Sequence, residues 1–180
     1  MSGVREALLE NKPWEVATLL SEDMLRDIAT ARTLERKAIE AHGALNEAID
    51  YGSAFSRGLR LNFGATSVLL ISGTASIDER GNTVHVGDFR AQLHRTFQNI
   101  ADLLAAEGAS WKDIVKTTCY LRDIERDYKA FNEERTAFYN QLGLHPYPAS
   151  VGIQAILCRP DLLVEIEAIA VFRTAGDGPS

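Results

Sequence analysis

Two carboxylates on one face of a strand are the feature of this chain that most invites chemistry. Near the C-terminus, Val164-Glu165-Ile166-Glu167-Ala168 alternates apolar and acidic residues. Successive strand side chains point to opposite faces, so Glu165 and Glu167 share one side. An acid held among apolar neighbours resists ionisation, which raises its pKa toward the range where it can take a proton from water and return it. Glu165 is therefore read as a general acid or base; the plainer alternative is that one or both glutamates make interface hydrogen bonds. Arg135 falls in a helical row with Tyr128, Phe131, Phe138 and Leu142, where a cation takes a hydrophobe's place. It either holds an anion or snorkels past the aromatics to solvent or to an acid. Arg57, just after Phe55-Ser56, carries a similar pair of readings, ligand binding or ordinary surface charge. His42, His85, His94 and His145 lack metal-ligand spacing, and no nucleophile elbow, phosphate loop or dinucleotide fingerprint occurs. Neither metal nor cofactor is expected.

The elements that must position these residues are legible from periodicity. Leu59 to Phe63 and Val68 to Ser72 read as strands, followed by a third β-segment turned by Asp78-Glu79-Arg80-Gly81-Asn82. Asp88 caps a helix whose stripe is Phe89, Leu93, Phe97, Ile100 and Leu104, with Gly108 at its end. Ile114 to Leu121 is a strand, Glu125 to Leu142 a helix stopped by Gly143 and Pro146, and Ala149 to Leu157 and Leu162 to Phe172 are closing strands. The order β-β-β-α-β-α-β-β implies an α+β sheet with two helices on one face. Ahead of it, residues 1–51 read as an N-terminal helical extension: Pro13 begins a short helix, and Ser21 caps a longer one. That second helix has the stripe Met24, Ile28, Ala31, Leu34, Ala38, Ala41, Leu45 and Ala48, with Gly43 a point of kinking. The main domain spans 52–173, and 174–180 reads as a disordered tail.

Composition narrows the partners. The 180 residues carry a formal net charge of −6 with both signs interspersed, which leaves no face suited to a run of phosphates; no nucleic acid is expected. Cys119 and Cys158 read as reduced core thiols. No signal-type run opens the chain and no stretch of about 18 apolar residues occurs, so the expectation is a soluble, cytoplasmic protein without a membrane partner.

The motifs Gly-Ser-Ala-Phe-Ser-Arg-Gly (52–58), Leu-Ile-Ser-Gly-Thr (70–74), Asp-Ile-Val-Lys-Thr-Thr (113–118), Tyr-Pro-Ala (147–149) and Val-Glu-Ile-Glu-Ala-Ile-Ala (164–170), taken in this order, carry a specific likeness. From about Gly52 to Arg173 the chain resembles the reactive intermediate deaminase (Rid, YjgF-type) superfamily. That resemblance implies a chorismate-mutase-like fold and a homotrimer with small-molecule clefts between neighbouring subunits. It places Glu165 at the family's water-positioning glutamate, Ser150 where an arginine directly after Pro-Ala holds a substrate carboxylate, and Gly152 where a cleft cysteine stands. Phe55 takes a usual tyrosine's place, Arg57 a usual glutamine's, and Asn132 matches an asparagine near the cleft. Arg135, one turn beyond Asn132, is a candidate for the anion contact that Ser150 lacks, and the backbone at Ser72-Gly73 and around Gly152 for oxyanion donors. The resemblance implies a cofactor-independent hydrolase that adds water to a small imine, enamine or related electrophile. With Ser150 in the arginine's place, simple 2-imino acids should be poor substrates. Alternatives are a chorismatase-like enzyme, suggested by Cys-Arg-Pro-Asp-Leu-Leu-Val-Glu-Ile-Glu (158–167), and a non-catalytic binding or assembly protein on the same scaffold. A nuclease reading is the weakest, given the acidic balance.

Overall fold

The strand that opens the sheet comes from a stretch whose periodicity reads as helix. The structure, a computed structural model, describes residues 35–41, 45 and 54–173. Within them Glu35–Ala38 forms β1, paired antiparallel with β2, Gly58–Phe63. The helix expected from Ser21 to Ala48 is thereby corrected at 35–38. Met24, Ile28, Ala31, Leu34, Gly43 and Ala48 lie outside the described residues, as do the short helix after Pro13 and residues 174–180. Glu-Arg-Lys-Ala favours a helix by only tenths of a kcal/mol per residue. Pairing on β2 instead brings Lys37 Nζ within 3.2 Å of Glu107 and delivers Ile39 to the core with no exposed surface.

Four more strands and two helices follow. They are β3 (Thr66–Ala75), α1 (Phe89–Ala106), a 3₁₀ turn (Trp111–Asp113), β4 (Ile114–Leu121), α2 (Ile124–Gln141), β5 (Ala149–Gln154) and β6 (Val164–Arg173). The expected order of elements holds, with a change of membership. The segment turned at 78–82 makes only an isolated bridge, Ile77 to Thr83, because the Asp78 carboxylate accepts from the Arg80 and Asn82 amides and closes the turn tightly. β1 supplies the third strand before α1 instead.

The sheet order is β1-β2-β3-β6-β4-β5, antiparallel except for β4 and β5. A parallel pair needs a crossover, and α2 is that crossover, which sets it over the β5 edge. Asp88 and Asp123 cap the helices by accepting from Ala91 and Arg126 amides, and Gly108 and Gly143 close them at positive φ. Both helices lie on one face. Phe97 stacks on Phe138 at 4.5 Å, and Trp111 meets both edge-on at 5.5 and 5.1 Å. The other face has no layer among the described residues: the register aligns Leu59, Leu70 and Ile169 in one row and Leu61, Val68 and Val171 in the next. Leu59, Leu70 and Val171 are 37–39% exposed.

Candidate functional site

The candidate residues gather into two groups on opposite faces of the sheet. The first surrounds Glu165. Between Ile71 and Thr74 the pairing of β3 with β6 shifts register, and this bulge turns the Gly73 backbone toward the glutamate. The fit admits only glycine without rearrangement, since a Cβ there would stand 1.9 Å from Glu165 Oε1. Ser72 braces the neighbouring segment: its amide donates to the Arg57 carbonyl at 3.0 Å and its hydroxyl to the Ser56 carbonyl at 2.8 Å. Phe55, Arg57, Ser72, Gly73, Leu162 and Glu165 line a hollow of about 590 Å³, with Cys158 and Arg159 at its rim. Arg57 is buried, at 6% exposure, with its guanidinium 5.6 Å from the Phe55 ring centre, so it is no surface charge. Arg159 is engaged elsewhere, donating to the Gly81 carbonyl.

Burial pushes the Glu165 carboxyl above the usual carboxylate range, and the neighbouring Glu167 charge adds to the shift. Glu167 accepts from the Tyr120 hydroxyl at 2.9 Å and is exposed. The two glutamates do share a face, as alternation requires, yet only Glu165 is drawn into the hollow.

The second group lies at the β5 edge beneath α2. Ser150 pairs with Thr117 and Gly152 with Cys119 across the parallel ladder, and Thr117 and Cys119 are buried toward the helices. Ser150 Oγ accepts from Thr117 Oγ1 at 2.9 Å and from Arg135 Nη1 at 3.0 Å. Arg135 Nη2 donates to Asn132 Oδ1 at 2.6 Å, and the guanidinium rests 4.6 Å from the Phe131 ring centre. Above Gly152, Tyr128 is the near neighbour, 3.6 Å from where a Cβ would be. Asn132, Arg135, Ser150 and Gly152 are thus one cluster, and the expected approach of Arg135 to Ser150 is a direct contact.

Phe55, Arg57, Gly73 and Glu165 form the other cluster, and Ser56 reaches it through its backbone carbonyl alone. Sequence reasoning missed Thr117, which seats Ser150, and Leu162 in the hollow. It also took Cys158 for a core thiol. Cys119 is buried, but Cys158 is exposed, because β5 ends at Gln154 and the chain from there to β6 is a surface connection. Thr117 sits inside the 113–118 motif, so strand alternation offered a signal for it; the place of Cys158 depended on where β5 stops.

Among the described residues no group of three or more His, Cys, Asp or Glu is placed to hold a metal, and no helix is long and apolar enough to cross a membrane. A family model described as Endoribonuclease L-PSP matches residues 38–172. The chain is 33% identical over 106 residues to a 3-aminoacrylate deaminase, RutC, of Acinetobacter baylyi, a match covering 59% of this chain and 80% of that protein. Among solved structures it is similar to the YjgF gene product of E. coli, with a TM-score of 0.62 and 26% identity, over 76% of this chain and 99% of that one. Similar again is E. coli TdcF with bound serine, with a TM-score of 0.62 and 26% identity over 76% of this chain and 98% of that one.

Proposed function

We propose that this chain, which belongs to the YjgF/Rid family described as Endoribonuclease L-PSP, is a deaminase-type hydrolase of small imines or enamines, working at a site shared between copies of itself. The observation that carries this reading is the half-buried Glu165 carboxyl, held against Gly73 in a hollow large enough for a small metabolite. The Glu165 carboxylate, its pKa raised by burial, takes one proton from water as the oxygen attacks the C=N carbon and passes it to nitrogen; the proton of the new hydroxyl then follows to nitrogen through the same carboxylate as the C–N bond breaks. Carbonyl compound and ammonia leave. The activity named for the RutC relative, deamination of 3-aminoacrylate, is of this kind.

The sheet supports a shared site. Glu165 is aligned with Tyr120 of β4, which is aligned in turn with Ile153 of β5. The carboxylate therefore starts two strands, roughly 10 Å, from the β5 edge, on the face opposite Ser150 and Arg135. No small molecule spans that path within one copy. The apolar rows through Leu70 and Val68 need cover, and a second and third copy of the chain provide it in the assembly we infer, a trimer.

The test is ammonia release from 3-aminoacrylate and from 2-iminopropionate, generated in situ and followed against buffer alone. Acceleration of either supports the reading. Rates equal to buffer for both, from protein of native circular dichroism, would overturn it in favour of a non-catalytic binding role.

A further inference from the structure

Among the described residues no carboxylate pairs with the guanidinium of Arg135. Several other arginines among the described residues are met by carboxylates or by backbone oxygens: Arg60 by Glu107, Arg90 by Glu133 and Glu134, Arg126 by Asp127, and Arg95, Arg122 and Arg159 by carbonyls. Arg135 is held instead by two neutral acceptors, Ser150 Oγ and Asn132 Oδ1, over the face of Phe131. These contacts fix the plane of its fork without neutralising it, and its side chain is partly open to solvent. Ser150 is turned to the same purpose. Its oxygen accepts from both Thr117 and Arg135, so its own proton is left to donate outward, with only the weak acceptor Cys119 Sγ nearby at 3.9 Å. The absent side chain of Gly152 keeps the strip of β5 beside them low, bounded by Tyr128.

We propose that Arg135 and Ser150 form an anion-binding seat that selects substrates bearing a carboxylate, with the arginine delivered by α2 and not by the β5 strand. A planar fork and an adjacent hydroxyl match the two oxygens of a carboxylate. The proposal rests on the shared-site reading above and names the substrate class of that site: small carboxylates whose electrophilic carbon lies toward the Glu165 of a neighbouring copy.

Pyruvate is the probe, being a small planar carboxylate that does not turn over, and pyruvamide is its uncharged counterpart. Calorimetric titration of the full chain should show tighter binding of pyruvate than of pyruvamide. Arg135→Ala should weaken pyruvate binding at least tenfold and leave pyruvamide unchanged. The double variant Arg135→Ala/Ser150→Arg, which returns a guanidinium from the strand side, should recover most of the loss, showing that charge at this place is what matters and not the packing of α2. Equal pyruvate affinity in wild type and Arg135→Ala, or no preference for pyruvate over pyruvamide in the wild type, would overturn the proposal. Turnover is scored separately: pyruvate binding that depends on Arg135 in a protein that hydrolyses nothing leaves the seat standing and removes only the hydrolase reading.

Discussion

Glu165 and Gly73 act as a pair at the scale of single residues. If Glu165 handles the proton, Glu165→Gln keeps the shape of the side chain and removes the transfer, so turnover should fall by 10²-fold or more while the assembly persists. Residual activity within threefold of wild type in a stopped-flow assay would reassign the chemistry. Gly73→Ala reaches the same carboxyl without touching it chemically. The added Cβ would stand 1.9 Å from Oε1, and since a glutamate end can swing away, the expected result is lost turnover with little change in melting temperature. The raised pKa also makes a signed prediction. Raised in the fold above its unfolded value, the group contributes stability that is complete below the unfolded pKa and is lost as pH rises through the folded one. Glu165→Gln should therefore be stabilising relative to wild type at neutral pH, with the advantage fading in acid. On the proposed mechanism it serves as a base when ionised, so turnover should rise with pH through the same raised pKa. These properties were partly readable beforehand: alternation put both glutamates on one face, but only the bulge in β3 decided which of them is buried.

Among the elements, β1 shows how a local preference yields to a long-range contact. Glu107, at the end of α1, has a side chain only 3% exposed and meets Lys37 of β1 at 3.2 Å and Arg60 of β2 at 3.0 Å. Lys37 is largely exposed and worth little by itself; Arg60 is mostly covered and its pairing matters more. Glu107→Gln leaves both cations facing an amide and should cost about 1–3 kcal/mol, a shift of several degrees in melting temperature, with faster amide exchange in β1 than in β6. Unchanged melting with unchanged β1 exchange would mean that Ile39 and strand pairing alone hold that edge. Nothing in Glu-Arg-Lys-Ala announces a strand, because its partner Glu107 lies seventy residues away. By contrast α1 and α2 were readable end to end, since Asp caps, apolar stripes and terminal glycines are local signals.

For the whole molecule the decisive surface is the face opposite the helices. Leu70 sits in the middle of it with Leu59 and Ile169 as cross-strand neighbours. A charged side chain there is tolerated by a lone subunit, which leaves the position 38% exposed, but not by an interface. The wild type should elute in multi-angle light scattering at three times the 19.8 kDa chain mass. Leu70→Glu should shift it to the single-chain mass, keep its helix content and, on the shared-site proposal, lose turnover. A wild-type chain that is monomeric at micromolar concentration would remove the shared site.

The sequence by itself determined both helices with their caps, the strands from β2 to β6 and the identity of the family, though not β1, because motif spacing and 2.0- or 3.6-residue periods are properties of neighbours along the chain. It also marked Glu165, Arg135 and Ser150 as residues to watch. What only the tertiary structure decided is which of them meet. Ser150 and Arg135 join because the parallel β4–β5 pair obliges α2 to cross over the edge strand, and Glu165 is set apart from them because it faces the other side of β6. Side-chain direction across a sheet, and the bulge that turns one glycine toward one glutamate, are fixed by pairing between distant strands, and no window along the chain contains both partners.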